Sequence, residues 1–389
     1  RVAAAGEAAL ALAGSAPRGA GPARAFVVTG SDPSRAAPLY SSLGLAGLPC
    51  ERFAIGGEPR FEDAREALAA ARDSGASVVV GFGGGSALDL AKAVAALLTN
   101  PGDPLDYAEL IGGGKPLLRP SFPCIAIPTT AGTGSEATRN AVLRSAEQGV
   151  KVSLRSPTML PSLAIVDPEL CYGLPPLVTA RTGMDALTQL IEAFVSCRAN
   201  PLTDAICREA ISRAIRALPA ACGKGRDYRV REDMSFASLC GGLALANAGL
   251  GAVHGIAGPL GGAYPVPHGA ACAALLAPVS AANVRALRER DPGNPALIRY
   301  AELASMLGSG LDAAAEDAPD LLVAFADRIG SEGLEDFGPL WGGIGDIAVK
   351  AAASGSMKGN PVVLTHDELC QALESAMRRK AGDGKARSN

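Results

Sequence analysis

Two of the chain's three histidines, His254 and His268, fall in a stretch without Asp, Glu, Lys or Arg, from Ser235 to Val284. Glycines and prolines separate them, as in GLGAVHGIAGPL and GGAYPVPHG, so they belong to different elements and can converge. Upstream, RTGMDALTQLIEAFVS carries Asp185 and Gln189 four residues apart, on one face of a helix. Asp185 sits among apolar neighbours, where an unpaired carboxylate is costly and a cation or basic partner would relieve it. A structural aspartate near a helix start, favoured by the dipole, is the alternative. An Asp-His-His set leaves positions for water or substrate, as a catalytic metal needs, and carboxylate and imidazole suit Zn²⁺ or Fe²⁺. The third histidine, His366, stands in Thr365-His366-Asp367-Glu368, a capping box that predicts an exposed first helical turn.

Two loops could hold a nucleotide. The first, VVVGFGGGSALDLAK, is a strand running into Gly84, Gly85 and Ser86 before a helix. Glycines admit a ligand close to the backbone, and open N–H groups at a helix start suit a pyrophosphate. The local alternative is Ser86 as N-cap, with Asp89 closing a capping box. The second loop, IPTTAGTGSEAT, offers hydroxyls at Thr129, Thr130, Thr133 and Ser135, suited to amide, ribose or phosphate. Its alternative is a turn capping a following helix through Ser135 or Thr138. Two such loops after two strands of one sheet point to one edge, where open α/β sheets bind nucleotides.

The positioning elements follow from apolar patterning. AFVVT, SVVV, CIAI and LAIV read as strands buried on both faces. Residues 61–74 and 86–98 carry helical periodicity between them, so an α/β layer with a mainly parallel sheet is expected. After Asp167 come prolines, then long helical patterns over 178–196, 201–221 and 229–246. The expected organisation is an α/β Rossmann-like domain over 1–175, an all-α domain over 176–378 and a disordered tail over 379–389. A ligand cleft is expected between the two domains.

The 389 residues are 48% hydrophobic and 19% charged with net charge −3, which excludes global disorder. With 4% aromatics and no basic field, no nucleic-acid partner is expected. Prolines and glycines break the uncharged stretch, so no membrane partner is expected either. Nine cysteines without a CxxC pair read as small buried thiols in a reducing compartment. Cytoplasmic location is expected, or organellar if a longer precursor carries a transit peptide.

GGGSALDLAK, IPTTAGTGSEAT, AIVDPEL, TGMDALTQLIEAFVS, AVHGIAGPLGG, PHG and SMKGNP, in this order, resemble the iron-containing (group III) alcohol dehydrogenase family over nearly the whole chain. The resemblance implies the group III fold, a dinucleotide domain followed by a helical one. It also implies NAD(P)-dependent oxidation of a small alcohol, or the reverse reduction, at a divalent metal, and a homodimer. Gly84, Gly85 and Ser86 would hold the pyrophosphate of NAD or NADP. Asp89, Thr129, Thr130, Thr133, Ser135 and Lys151 would line the cofactor. Asp185, His254 and His268 match metal ligands and would form the catalytic centre. Three positions depart from the pattern. Gln189 replaces a ligand histidine and is kept as a weaker fourth donor. Gly258 replaces a substrate-side histidine, which removes that proton relay. Gly30 replaces an aspartate frequent in NAD-specific members, so NADP is admitted. Other readings are a metal-independent enzyme resembling maleylacetate reductases, a lyase resembling dehydroquinate synthase, and a nucleotide-binding homologue without activity.

Overall fold

Continuous Val and Ile runs need cover on both faces, and the computed structural model of the chain supplies it. It describes residues 1–15, 22–109, 111–338 and 343–378; the tail expected over 379–389 lies outside them. The chain divides into two units, one of Arg1–Thr130 with Gly134–Cys171, the other of Ala131–Thr133 with Tyr172 onward.

In the first unit the order is α1 (Ala5–Ala13), β1 (Ala25–Thr29), α2 (Ala37–Leu45), β2 (Cys50–Ala54), α3 (Phe61–Asp73), β3 (Val78–Gly83), α4 (Gly85–Leu97) and β4 (Cys124–Pro128), then β5 (Asn140–Ser145), β6 (Val150–Arg155) and β7 (Leu163–Ala164). The main sheet runs β2-β1-β3-β4-β7 with every neighbour parallel. Alternate side chains of β1 divide the core. Phe26 and Val28 pack with α3 and α4, whereas Ala25 and Val27 pack with α1 and α2. Strand order reverses between β1 and β3, and open sheets of this kind bind ligands beyond the strand ends at such a point.

Two features differ from the sequence expectation. CERFA forms the edge strand β2, whose Glu51 and Arg52 face solvent and hide the apolar run that marks its inner neighbours. An antiparallel ribbon of β5 and β6 follows the second loop in place of a helix, with Leu143, Val152 and Leu154 covering α4.

The second unit contains α5 (Pro176–Val195), α6 (Pro201–Gly223), α7 (Tyr228–Ala248), α8 (Ala252–Ala263), α9 (His268–Arg290), α10 (Pro295–Ala304), α11 (Asp317–Arg328), α12 (Ile344–Ala352) and α13 (His366–Met377). Among the described residues α9 is the one unbroken helix long and apolar enough to cross a membrane. Here it is a core helix, packed by α5, α8, α11 and α13. His366 starts α13 in the expected capping box: Thr365 Oγ1 accepts from Glu368 N, and Glu368 Oε2 accepts from Thr365 N.

Candidate metal centre and cofactor loops

The uncharged stretch folds into α8, a short turn and α9, so His254 in the first turn of α8 meets His268 at the start of α9. Their ring centroids lie 5.4 Å apart. Gly269 lets the start of α9 come close to α5, because a Cβ there would fall 2.3 Å from Arg181 O of α5. Gly255 similarly leaves room for Met357 of the SMKGNP segment. That segment also anchors α8, where Asn360 Oδ1 accepts from Ala252 N at 3.0 Å.

Asp185 comes from the buried face of α5. Its Oδ1 lies 3.3 Å from His254 Nε2 and 3.8 Å from His268 Nε2. Two residues that the sequence reading did not single out complete the site. Glu192, seven residues after Asp185 and so on its face of α5, accepts from His254 Nδ1 at 2.5 Å and from Val253 N at 2.7 Å. Cys272, one turn after His268, places Sγ 3.8 Å from His254 Nε2 and 3.7 Å from His268 Nε2. One ligand atom from each of Asp185, His254, His268 and Cys272 falls within a single 4.8 Å cluster.

The donor chemistry of this cluster fits a divalent cation. Glu192 accepts a hydrogen bond from Nδ1–H of His254, so the neutral ring turns the Nε2 lone pair toward Asp185 and Cys272. Lone pairs converging in a buried space repel each other unless a proton or cation lies among them. Protons serve that role here when no cation does. Burial pushes His254 toward neutrality, but Cys272, Glu192 and Asp185 outweigh it and hold its pKa well above the ordinary imidazole value. Burial would also raise Asp185, yet His254, His268 and Gln189 keep its carboxyl below the usual range. The side chains of Asp185 and His254 are 5% and 7% exposed and that of His268 is 37% exposed, so the cluster opens on the His268 side. Gln189 is buried one turn from Asp185, and its Oε1 has no hydrogen-bond partner. Gly258 has open space where a side chain would stand.

In the first unit, Gly83 ends β3 so tightly that a Cβ would meet that of Ala87 at 2.7 Å. The helix then starts two residues earlier than the serine reading expects. Gly84 is the N-cap of α4 and no side chain caps it, so Ser86 does not form the capping box. First-turn N–H groups of Gly85 and Ser86 are thus left uncapped by side chains, as an anion site requires. Thr130 Oγ1 lies 3.4 Å from the space a Gly84 side chain would take, and Thr129 N donates to Gly83 O at 2.9 Å, so the two loops adjoin.

Asp89 serves a different purpose from a cap. It accepts from Ser135 Oγ at 2.5 Å and Val142 N at 3.0 Å, and pairs with the fully buried Lys92 at 3.1 Å. Lys92 Nζ also donates to Ser135 O and Thr138 Oγ1, which pins the second loop onto α4. Ser135 and Thr138 therefore cap no helix. Thr133 groups with the second unit. Lys151, on β6, pairs with Glu58 at 2.5 Å.

Profiles of known families match both units, "Iron-containing alcohol dehydrogenase" over residues 3–168 and "Fe-containing alcohol dehydrogenase family, C-terminal" over residues 179–377. The chain belongs to the iron-containing alcohol dehydrogenase family. It is 39% identical over 327 residues to alcohol dehydrogenase 4 of Schizosaccharomyces pombe, covering 82% of this chain and 73% of that protein. It is 44% identical over 259 residues to probable alcohol dehydrogenase EutG of Salmonella typhimurium; that match spans 65% of this chain and 64% of the relative. The crystal structure of a 1,3-propanediol oxidoreductase superposes with a TM-score of 0.85 at 33% identity, covering 96% of this chain and 95% of that one. A sulfoacetaldehyde reductase from Bifidobacterium kashiwanohense, solved in complex with NAD⁺, superposes at 0.82 with 28% identity over 98% and 96% of the two chains.

Proposed function

We propose that the chain is a metal-dependent NAD(P) alcohol dehydrogenase, interconverting a small alcohol and its aldehyde or ketone. The observation that carries this reading is the convergence of Asp185, His254 and His268 donor atoms. A divalent cation held there would supply Lewis-acid polarisation of the substrate oxygen, and a bound nicotinamide would supply the hydride acceptor or donor.

The chain's residues contribute the rest. Asp185 brings negative charge to the cation, and Glu192 fixes the tautomer and orientation of His254. The uncapped start of α4 at Gly84, Gly85 and Ser86 receives the pyrophosphate, with Thr129 and Thr130 beside it. Lys92, Asp89 and Ser135 hold the second loop against α4 so that this edge is preformed. Thr133 and Lys151 remain cofactor-lining residues in this reading, and Gln189 remains a weak donor beside Asp185. His366 is exposed at the start of α13, so no third imidazole among the described residues joins the cluster. Solvent or the cofactor ribose must therefore carry the substrate proton.

Two of the similar structures are named for a short diol and a short aldehyde, 1,3-propanediol oxidoreductase and sulfoacetaldehyde reductase. The test is a panel of C2–C4 alcohols, diols and aldehydes run with both nicotinamide cofactors and with zinc or ferrous iron. Turnover of at least one substrate pair supports the reading. Cofactor binding without turnover across the panel would favour a non-catalytic homologue.

A further inference from the structure

We propose that Cys272 is a fourth metal ligand, making this centre an Asp-His-His-Cys set that selects zinc, with the substrate oxygen entering as a fifth ligand on the open His268 side. The inference rests on the reading that Asp185, His254 and His268 hold a divalent cation. It adds a donor that is neither one of those three nor Gln189.

Geometry carries the argument. Zinc bonds of about 2.0–2.1 Å to nitrogen or oxygen and about 2.3 Å to sulfur, at tetrahedral angles, separate ligand atoms by roughly 3.3 Å for N···O and 3.6 Å for S···N. The cluster reproduces these edges. His254 Nε2 lies 3.3 Å and His268 Nε2 3.8 Å from Asp185 Oδ1. Cys272 Sγ lies 3.8 and 3.7 Å from the same two nitrogens. The remaining pairs lie within 4.8 Å, so all four atoms face one small space.

Position and chemistry agree with this. His268 and Cys272 are four apart at the start of α9 and share one helix face. Cys272 is fully buried, and its sulfur meets two imidazole nitrogens at once. A thiol has one proton and can satisfy only one of them, whereas a cation satisfies both and the sulfur together. Gln189 Oε1 instead lies beside Gly241 of α7, 2.9 Å from where a Cβ of that residue would stand. A thiolate among two imidazoles and a carboxylate suits zinc better than an oxygen-rich set does.

The test begins with metal content and then asks about sulfur. Wild-type protein is loaded with one equivalent of cobalt(II), bound metal is quantified, and the near-ultraviolet thiolate-to-cobalt charge-transfer band is recorded for wild type and Cys272→Ser. Wild type is expected to bind one cobalt with the band. Cys272→Ser should bind cobalt without it, with zinc affinity lowered by at least the roughly tenfold that loss of an outer partner costs. Bound cobalt without the band in wild type, or a band of equal size in Cys272→Ser, overturns the assignment of Cys272 and leaves the three-ligand reading intact. Failure of wild type to retain cobalt or zinc overturns the metal reading itself. X-ray absorption of zinc-loaded wild type needs no variant. A sulfur shell at about 2.3 Å alongside imidazole scattering is expected, and its absence rejects the proposal.

Discussion

Glu192 holds His254 through both its ring and its backbone neighbour: one carboxylate oxygen accepts from His254 Nδ1 at 2.5 Å and the other from Val253 N at 2.7 Å. The ring can then offer only its Nε2 lone pair to the cluster. Glu192→Gln preserves shape, but its amide oxygen is claimed by Val253 N, so its NH₂ group faces His254 Nδ1 and favours the opposite tautomer. Metal affinity should fall about 10–100-fold, the usual cost of losing such a partner. Competition titration against a chelator measures this, and an unchanged affinity would show that the bond does not tune the metal.

Ser86 offers a way to separate helix stability from cofactor binding. It lies in the uncapped first turn of α4. Ser86→Asp places a negative charge where the helix dipole welcomes one, so thermal stability should hold or rise slightly. The same charge repels a pyrophosphate, and the cofactor KM should rise about fivefold or more, from ~1 kcal/mol of repulsion between partly solvated charges. Steady-state kinetics together with a melting curve decide it; an unchanged KM removes the phosphate from this turn.

Gly30 follows β1 at the point where strand order reverses, and its N lies 3.4 Å from the space a Gly83 side chain would take. A Cβ at Gly30 meets nothing within 4 Å, so an aspartate fits there. Gly30→Asp should raise the KM for NADP by about fivefold or more relative to that for NAD, because it opposes only the 2′-phosphate. Parallel kinetics with the two cofactors read the ratio, and equal changes in both would refute the placement.

Lys92 is fully buried with Asp89, Ser135 O and Thr138 Oγ1 as partners. Lys92→Met keeps much of the volume but leaves Asp89 without its cation. A loss of about 3–5 kcal/mol in unfolding free energy is expected, the usual cost of breaking a buried pair. Urea unfolding measures it, and a loss below about 1 kcal/mol would mark the pair as dispensable.

Much of this was legible in sequence because burial on both faces writes Val and Ile continuously, as in β1, β3 and β4. The edge strand β2 was not, since Glu51 and Arg52 break its pattern. Asp185, His254 and His268 stood out as polar groups in apolar runs. Cys272 did not, because a cysteine among alanines and leucines reads as a core thiol until His268 is known to begin a helix. Glu192 was hidden by distance, being two turns beyond Asp185. Ser86 misled as a cap because the glycine turn starts α4 two residues earlier. Asp89, expected as a cap, instead pairs with Lys92 one turn on and accepts from Ser135 and Val142, and no local pattern announces those last two, about 50 residues away.

The central claim is that catalysis depends on a cation held by Asp185, His254 and His268. The most direct test is NAD(P)H-linked aldehyde reduction before chelation, after complete metal removal verified by elemental analysis, and after adding back zinc or ferrous iron. Loss of turnover on removal and recovery on re-addition, with no recovery in Asp185→Ala, is the predicted result. Full turnover by metal-free protein would contradict it and favour a metal-independent reductase on the same fold.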